Sequence, residues 1–168
     1  MEIKKIYFDM DCVLADFYRG VEELCGINIE ELDKVPEMRD EKMWDAIREI
    51  DHFYDKLEIM EDAREMFEMV FEKYGDRVEI LSAIPKPKRR IQNAKEDKIL
   101  WIRRLFDENI VINIVYTEEK KDYCLGEGYI LIDDNEKTIN SWNEKGGLGI
   151  VHKTAKDTIK FLKETKII

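Results

Sequence analysis

The stretch Ile6-Tyr7-Phe8-Asp9-Met10-Asp11 runs a short β-type segment into two carboxylates one residue apart, and Ile130-Leu131-Ile132-Asp133-Asp134 repeats that design far along the chain. Both read as strands that end in paired acids. In an open α/β sheet ligands bind beyond the carboxyl ends of the strands, so polar residues placed directly after a strand mark the expected site of chemistry. Four carboxylates converging at one sheet edge repel one another unless a cation sits among them, and an oxygen-only donor set suits magnesium. A single pair would read as a helix cap or a solvated turn. Two pairs on separate strands favour a bound divalent ion.

Outward from these two segments, β-type runs recur at Ile3 to Phe8, Val78 to Leu81, Val111 to Tyr116, Tyr129 to Ile132 and Leu148 to His152. Helical patterns lie between them. The clearest is Ala63 to Tyr74, with Met66, Phe67, Val70 and Phe71 on one stripe and Gly75 as its stop. Others run from about Lys95 to Phe106, Lys137 to Glu144 and Ala155 to Lys163. Strands alternating with helices predict an α/β fold with a five-stranded parallel sheet covered on both faces. The gap between the first two strands far exceeds the dozen or so residues of a simple crossover. Residues 17–60 therefore read as a small helical cap inserted after the first strand, with residues 1–16 and 61–168 forming the core.

The 168 residues are 44% hydrophobic with 8 glycines and 3 prolines, which fits one compact unit and excludes the disordered class. No apolar run approaches the roughly 18 residues of a membrane span. The opening Met1-Glu2-Ile3-Lys4-Lys5-Ile6 does not have the pattern of a secretory leader, so a cytoplasmic protein is expected. The net charge of −10 argues against affinity for nucleic-acid polymers or anionic membranes. That charge is uneven. Residues 30–65 carry 14 acids against 6 bases, whereas residues 86–104 carry 8 bases against 2 acids, a stretch an anionic small ligand could use. Cys12, Cys25 and Cys124 lack metal-type spacing and read as reduced thiols, and two histidines exclude a histidine-rich metal site.

Four motifs in order carry a resemblance. Asp9-Met10-Asp11-Cys12-Val13-Leu14 resembles the first motif of the haloacid dehalogenase (HAD) superfamily of phosphohydrolases, and Ser82 after Val78-Glu79-Ile80-Leu81 resembles the second. Lys98 fits the third, and Ile132-Asp133-Asp134 the fourth. Within that superfamily the chain is similar to the 5′(3′)-deoxyribonucleotidase family, the cytosolic type C nucleotidases. Asp9 to Phe17 follows that family's opening, Lys98 to Trp101 keeps its lysine-to-tryptophan spacing, and Phe53-Tyr54 with Leu57 matches its paired aromatics and leucine. Two departures stand out: Cys12 where the family usually has glycine, and Ser82-Ala83-Ile84-Pro85-Lys86 where it has threonine-serine-proline and then a basic residue.

The resemblance implies a HAD-like Rossmannoid three-layer sandwich and a Mg2+-dependent phosphatase for deoxyribonucleoside monophosphates. Asp9 would be the nucleophile and Asp11 the general acid and base. Metal would be held by the Asp9 carboxylate, the Asp11 backbone carbonyl and a carboxylate of Asp133 or Asp134. Ser82 and Lys98 would hold the phosphate, with Lys86 as a secondary contact, while Lys95 and Arg103 compete with Lys98 for its role. Phe17, Trp44, Phe53 and Tyr54 would stack the base, against the alternative that they form the cap's own core. A phosphatase for another small phosphomonoester, or a non-catalytic ligand-binding protein of the same fold, are the rival functions. The implied partner is a nucleoside monophosphate, with a homodimer left open.

Overall fold

The computed structural model describes residues 2–168. Five strands, β1 (Lys5–Phe8), β2 (Val78–Ala83), β3 (Val111–Val115), β4 (Tyr129–Asp133) and β5 (Leu148–Val151), form one sheet in the order β3-β2-β1-β4-β5. All neighbours are parallel. The α/β class and the five-stranded parallel sheet expected from the sequence are thus present. Each strand differs from the sequence reading at one end, by a single residue in β3, β4 and β5 and by two in β1 and β2. β1 begins at Lys5 rather than Ile3, and β2 extends through Ala83, so Ser82 is a strand residue rather than one that follows a strand.

Strand alternation divides the core into two faces. Ile6, Phe8, Ile80, Ile130 and Ile132 face one side, together with Met66, Phe67 and Val70 of α4 (Ala63–Tyr74), Trp101 and Ile102 of α5 (Ala94–Leu105), and Leu162 of α7 (Ala155–Glu164). Tyr7, Leu81 and Leu131 face the other, against Ile139 and Trp142 of α6 (Glu136–Glu144). Burying each such large side chain contributes about 1.5–3 kcal/mol, which is why the intervening charged residues do not break the pattern.

Between β1 and α4 lie α1 (Phe17–Cys25), α2 (Ile29–Asp33), α3 (Pro36–Arg48) and a 3₁₀ turn at Tyr54–Lys56. The Asp16 side chain caps α1 by accepting from the Arg19 amide, and left-handed Gly26 ends it. Gly20 of α1 permits a close approach: a Cβ there would lie 2.2 Å from Leu57 Cδ2. The chain leaves and re-enters this region at one place, where the Asp16 amide donates to Glu58 O at 2.8 Å and the Met60 amide donates to Leu14 O at 2.9 Å. The fully buried Trp101 indole donates to Leu57 O at 2.7 Å, fixing the segment to α5. Phe17, Met43, Ile47, Phe53 and Tyr54 belong to the same apolar cluster as Ile6 and Phe8, so the helical segment is continuous with the main core.

Candidate active site

The sheet order puts the carboxyl ends of β2, β1 and β4 side by side. Phe8 pairs with Ile80 on one side and Ile132 on the other, which sets Asp9 level with Asp133 and near Ser82. The Asp9 amide donates to Ile132 O at 2.9 Å, continuing the ladder one residue past β1. The loop then turns sharply, with the Leu14 and Ala15 amides both donating to Met10 O. Cys12 takes a left-handed φ of 62° at the position where the resembling family carries glycine. Burial, with Asp134 and Asp11 nearby, pushes the Cys12 thiol far up, so it stays protonated.

Carboxylate oxygens of Asp9, Asp133 and Asp134 lie within 4.8 Å of one another. They line a small cavity of about 160 Å³ with Asp11, Thr117 and Lys120. Burial, and then the charge of Asp9, lift Asp133 to about 6 and Asp134 to about 7. Asp134 has no cation within ion-pair distance among the described residues, whereas Asp9 and Asp133 share one. Three crowded carboxylates with a single ammonium between them are a hard oxygen donor set short of positive charge, and this set fits Mg2+. The Asp11 carboxylate stands outside the group and turns instead to Lys98.

The shared cation is Lys120. Its Nζ lies 2.9 Å from Asp9 Oδ1 and 2.7 Å from Asp133 Oδ2, and the residue is 2% exposed. Burial pulls its pKa down, but the two carboxylates more than offset this and keep it charged. The sequence reading missed it. Lys120 sits in Glu118-Glu119-Lys120-Lys121-Asp122, which reads as a solvated turn, yet the 3₁₀ turn at Thr117–Tyr123 buries Lys120 and leaves Lys121 exposed. Thr117, which lines both this cavity and the larger one beside it, was missed as well.

Of the three competing cations on α5, Lys98 is the one turned inward, with 0% exposure. Its ammonium donates to Asp11 Oδ2 at 2.7 Å, Ser82 Oγ at 3.1 Å and Ala83 O at 2.6 Å, and lies 4.5 Å from the Tyr54 ring centroid. Burial lifts the Asp11 carboxyl despite the Lys98 charge, which favours the protonated acid. Asp11 Oδ1 is buried with no hydrogen-bond partner among the described residues. Ser82 is fully buried, and its hydroxyl accepts from Lys98; like Lys98, it stands behind the residues that line the two cavities.

The larger cavity, about 400 Å³, adjoins the first at Asp11, Ala83 and Thr117, and is lined further by Trp44, Tyr54, Lys86, Lys88 and Arg89. Lys86 is exposed there, 3.0 Å from Glu118, and does not reach the smaller cavity. The four aromatics expected at the base separate into two pairs. Trp44 and Tyr54 line the cavity, whereas Phe17 and Phe53 do not. Phe17 packs against Phe53 at 5.7 Å, Tyr54 at 6.3 Å and Trp44 at 6.0 Å, as the centre of an aromatic cluster. Phe17 and Phe53 pack within this cluster and, with Tyr54, belong to the buried core, whereas Trp44 is only partly buried. Phe17→Ala is accordingly expected to cost about 3–5 kcal/mol of stability and to lower turnover of every substrate by a similar factor. Thermal melts with two unlike substrates check this, and a loss confined to one substrate at unchanged melting temperature would contradict it.

No protein-family model and no curated protein matches the chain. Solved structures do. A HAD-superfamily hydrolase from Ehrlichia chaffeensis is 15% identical with a TM-score of 0.55, over 98% of each chain. A hydrolase from Streptococcus pneumoniae TIGR4 is 14% identical with a TM-score of 0.56, over 97% of this chain and all of that one. The L-2-haloacid dehalogenase from Xanthobacter autotrophicus, with chloropropionic acid covalently bound, is 12% identical with a TM-score of 0.55, over 99% of this chain and 84% of that one. No described helix is long and apolar enough to cross a membrane. With its parallel five-stranded sheet and acidic strand ends, the chain has the fold of the haloacid dehalogenase superfamily of hydrolases.

Proposed function

We propose that the protein is a magnesium-dependent phosphomonoesterase that forms an aspartyl-phosphate on Asp9 and acts on deoxyribonucleoside monophosphates. The observation that carries this reading is the pairing of two unlike carboxylates beside one cavity. Asp9 is held by Lys120 within the three-acid cluster, while Asp11 has one oxygen on Lys98 and the other without a hydrogen-bond partner among the described residues. A phosphate monoester is a dianion, so its cleavage depends on charge neutralisation and alignment. Asp9, Asp133 and Asp134 would hold Mg2+, which supplies positive charge to the phosphoryl oxygens. Lys120 and Lys98 add fixed charge, one on each side of the reacting group.

In this mechanism an Asp9 oxygen attacks phosphorus as the bond to the ester oxygen breaks, and protonated Asp11 gives its proton to that departing oxygen. The Asp11 carboxylate then takes a proton from water, whose oxygen attacks the aspartyl-phosphate and releases inorganic phosphate and free Asp9. Departing halide needs no proton, so an acid with a raised pKa beside the nucleophile supports an oxygen leaving group over the carbon–halogen chemistry of the dehalogenases that share the fold. Trp44 and Tyr54 in the adjoining cavity are the rings available to a base.

Phosphate release measured across p-nitrophenyl phosphate and a panel of deoxy- and ribonucleoside monophosphates tests the reading. Chelation should abolish release and Mg2+ restore it. Because Asp133 and Asp134 are raised to about 6 and about 7, their contribution to metal-free stability is complete below about pH 4 and is lost as pH rises through those values. A cation that replaces the protons therefore stabilises more at pH 8 than at pH 5. At saturating Mg2+ the melting temperature is expected to rise by about 5–10 °C at pH 8 and by much less at pH 5. An equal shift at both, or activity that survives exhaustive chelation, would remove the metal from the account.

A further inference from the structure

The larger cavity carries more positive charge than one phosphate requires. The phosphate end is already served by Lys98, Lys120 and the three-acid cluster. Yet Lys86, Lys88 and Arg89 line the cavity that opens on the other side of Asp11. Among the described residues its one acidic lining residue is Asp11, itself paired with Lys98, and Lys86 is paired at 3.0 Å with Glu118 beyond the lining, so Lys88 and Arg89 are the cations there with no acidic partner. The wall is also held in place. Arg48 Nε of α3 donates to Arg89 O at 3.0 Å, and the Arg89 guanidinium lies 5.9 Å from the Trp44 ring centroid. Three cations collected on one short loop of a protein with net charge −10 are not a general surface property.

We propose that the substrate's leaving group bears a second anionic group, which Lys86, Lys88 and Arg89 receive while Trp44 and Tyr54 flank the part between the two anions. This rests on the phosphomonoesterase reading above and moves its preferred substrate from a nucleoside monophosphate, whose leaving group is uncharged, to a monoester whose leaving group carries an anion. Asp11 is the acid for the departing oxygen in that reading, so the cavity on its far side is where the leaving group sits. The arrangement selects small bis-anionic monoesters, such as a nucleoside bisphosphate or a phosphorylated carboxylate. The acidic remainder of the surface disfavours a polymer.

The test compares kcat/KM for matched pairs at low salt: thymidine 3′,5′-bisphosphate against thymidine 5′-monophosphate, and 4-carboxyphenyl phosphate against phenyl phosphate. The first pair isolates a second phosphate and the second a carboxylate. A preference of roughly tenfold or more for the bis-anionic member of either pair is expected. It should fall toward one in about 0.5 M NaCl, where exposed charges are screened. In the double variant Lys88→Ala/Arg89→Ala the preference should likewise collapse, while the salt series on the parent protein reads the same charge without any substitution. Equal kcat/KM within both pairs, with monoesters still hydrolysed, overturns this inference alone. Better hydrolysis of a 5′-phosphorylated oligonucleotide than of the bisphosphate also overturns it. No release from any monoester overturns the phosphomonoesterase reading and this inference together.

Discussion

Asp9→Asn is expected to fold with a melting temperature within a few degrees of the parent and to lose phosphate release by at least about 10⁴-fold, the scale seen when a covalent nucleophile is removed. The two halves of this result have separate causes. Asparagine keeps the shape of the side chain but its amide does not attack phosphorus, so no aspartyl-phosphate forms. Stability changes little because two effects oppose. The variant loses one ion-pair partner of Lys120, 2.9 Å away, but it also removes the charge that helps raise both Asp133 and Asp134. Relief of that repulsion offsets the lost attraction. Circular dichroism melts beside a single-turnover assay separate the two halves. Near-normal release from a well-folded Asp9→Asn would end the covalent mechanism, and loss of folding would show that Asp9 serves structure first.

The residues read most easily from the sequence are those whose role is fixed by strand geometry. An acid placed directly after a parallel strand must lie at the sheet's carboxyl edge, so Asp9 and Asp133 could be brought together from their flanking Ile and Phe residues alone. Lys98 was legible for a different reason: it keeps the lysine-to-tryptophan spacing of the family the sequence resembles, and the structure places it on the inner stripe of α5 with Trp101 and Ile102. Lys120 had neither signal. Its segment has no apolar periodicity, and a single inward lysine among five charged residues is decided by the 3₁₀ turn and by the two carboxylates it meets, one of them 111 positions earlier in the chain. The aromatics were ambiguous because a ring that stacks a base and a ring that packs a core obey the same preference for apolar surroundings. Only the three-dimensional packing shows that Phe17, Phe53 and Tyr54 are all buried together, that Tyr54 nonetheless borders the cavity, and that half-buried Trp44 forms its wall.

Lys120→Met is the second substitution with a large expected effect, and here the loss falls on folding as well as on turnover. Methionine approximates the length of the side chain and removes its charge, leaving Asp9 and Asp133 buried against each other without the ammonium that lies between them at 2.9 and 2.7 Å. Removing one partner of such a buried pair costs about 3–5 kcal/mol, because the remaining charges are uncompensated. For a chain of this size that corresponds to roughly 6–20 °C of melting temperature. The loss should depend on pH with a definite sign. Asp133 already sits at about 6 with Lys120 holding it down, so without that lysine it titrates higher still. A carboxyl raised in the folded state is protonated at pH 5, where the repulsion vanishes, and charged at pH 8, where it is complete. The deficit is therefore expected to be largest at pH 8 and to shrink toward pH 5. Millimolar Mg2+ at pH 8 should restore part of it by supplying the missing charge. Adding Asp9→Asn to Lys120→Met should also make the double variant more stable than Lys120→Met alone, since one of the opposed carboxylates is gone. A deficit that is the same at both pH values, insensitive to Mg2+ and additive with Asp9→Asn would mean that Lys120 contributes packing rather than charge, and the electrostatic account of this site would fall with it.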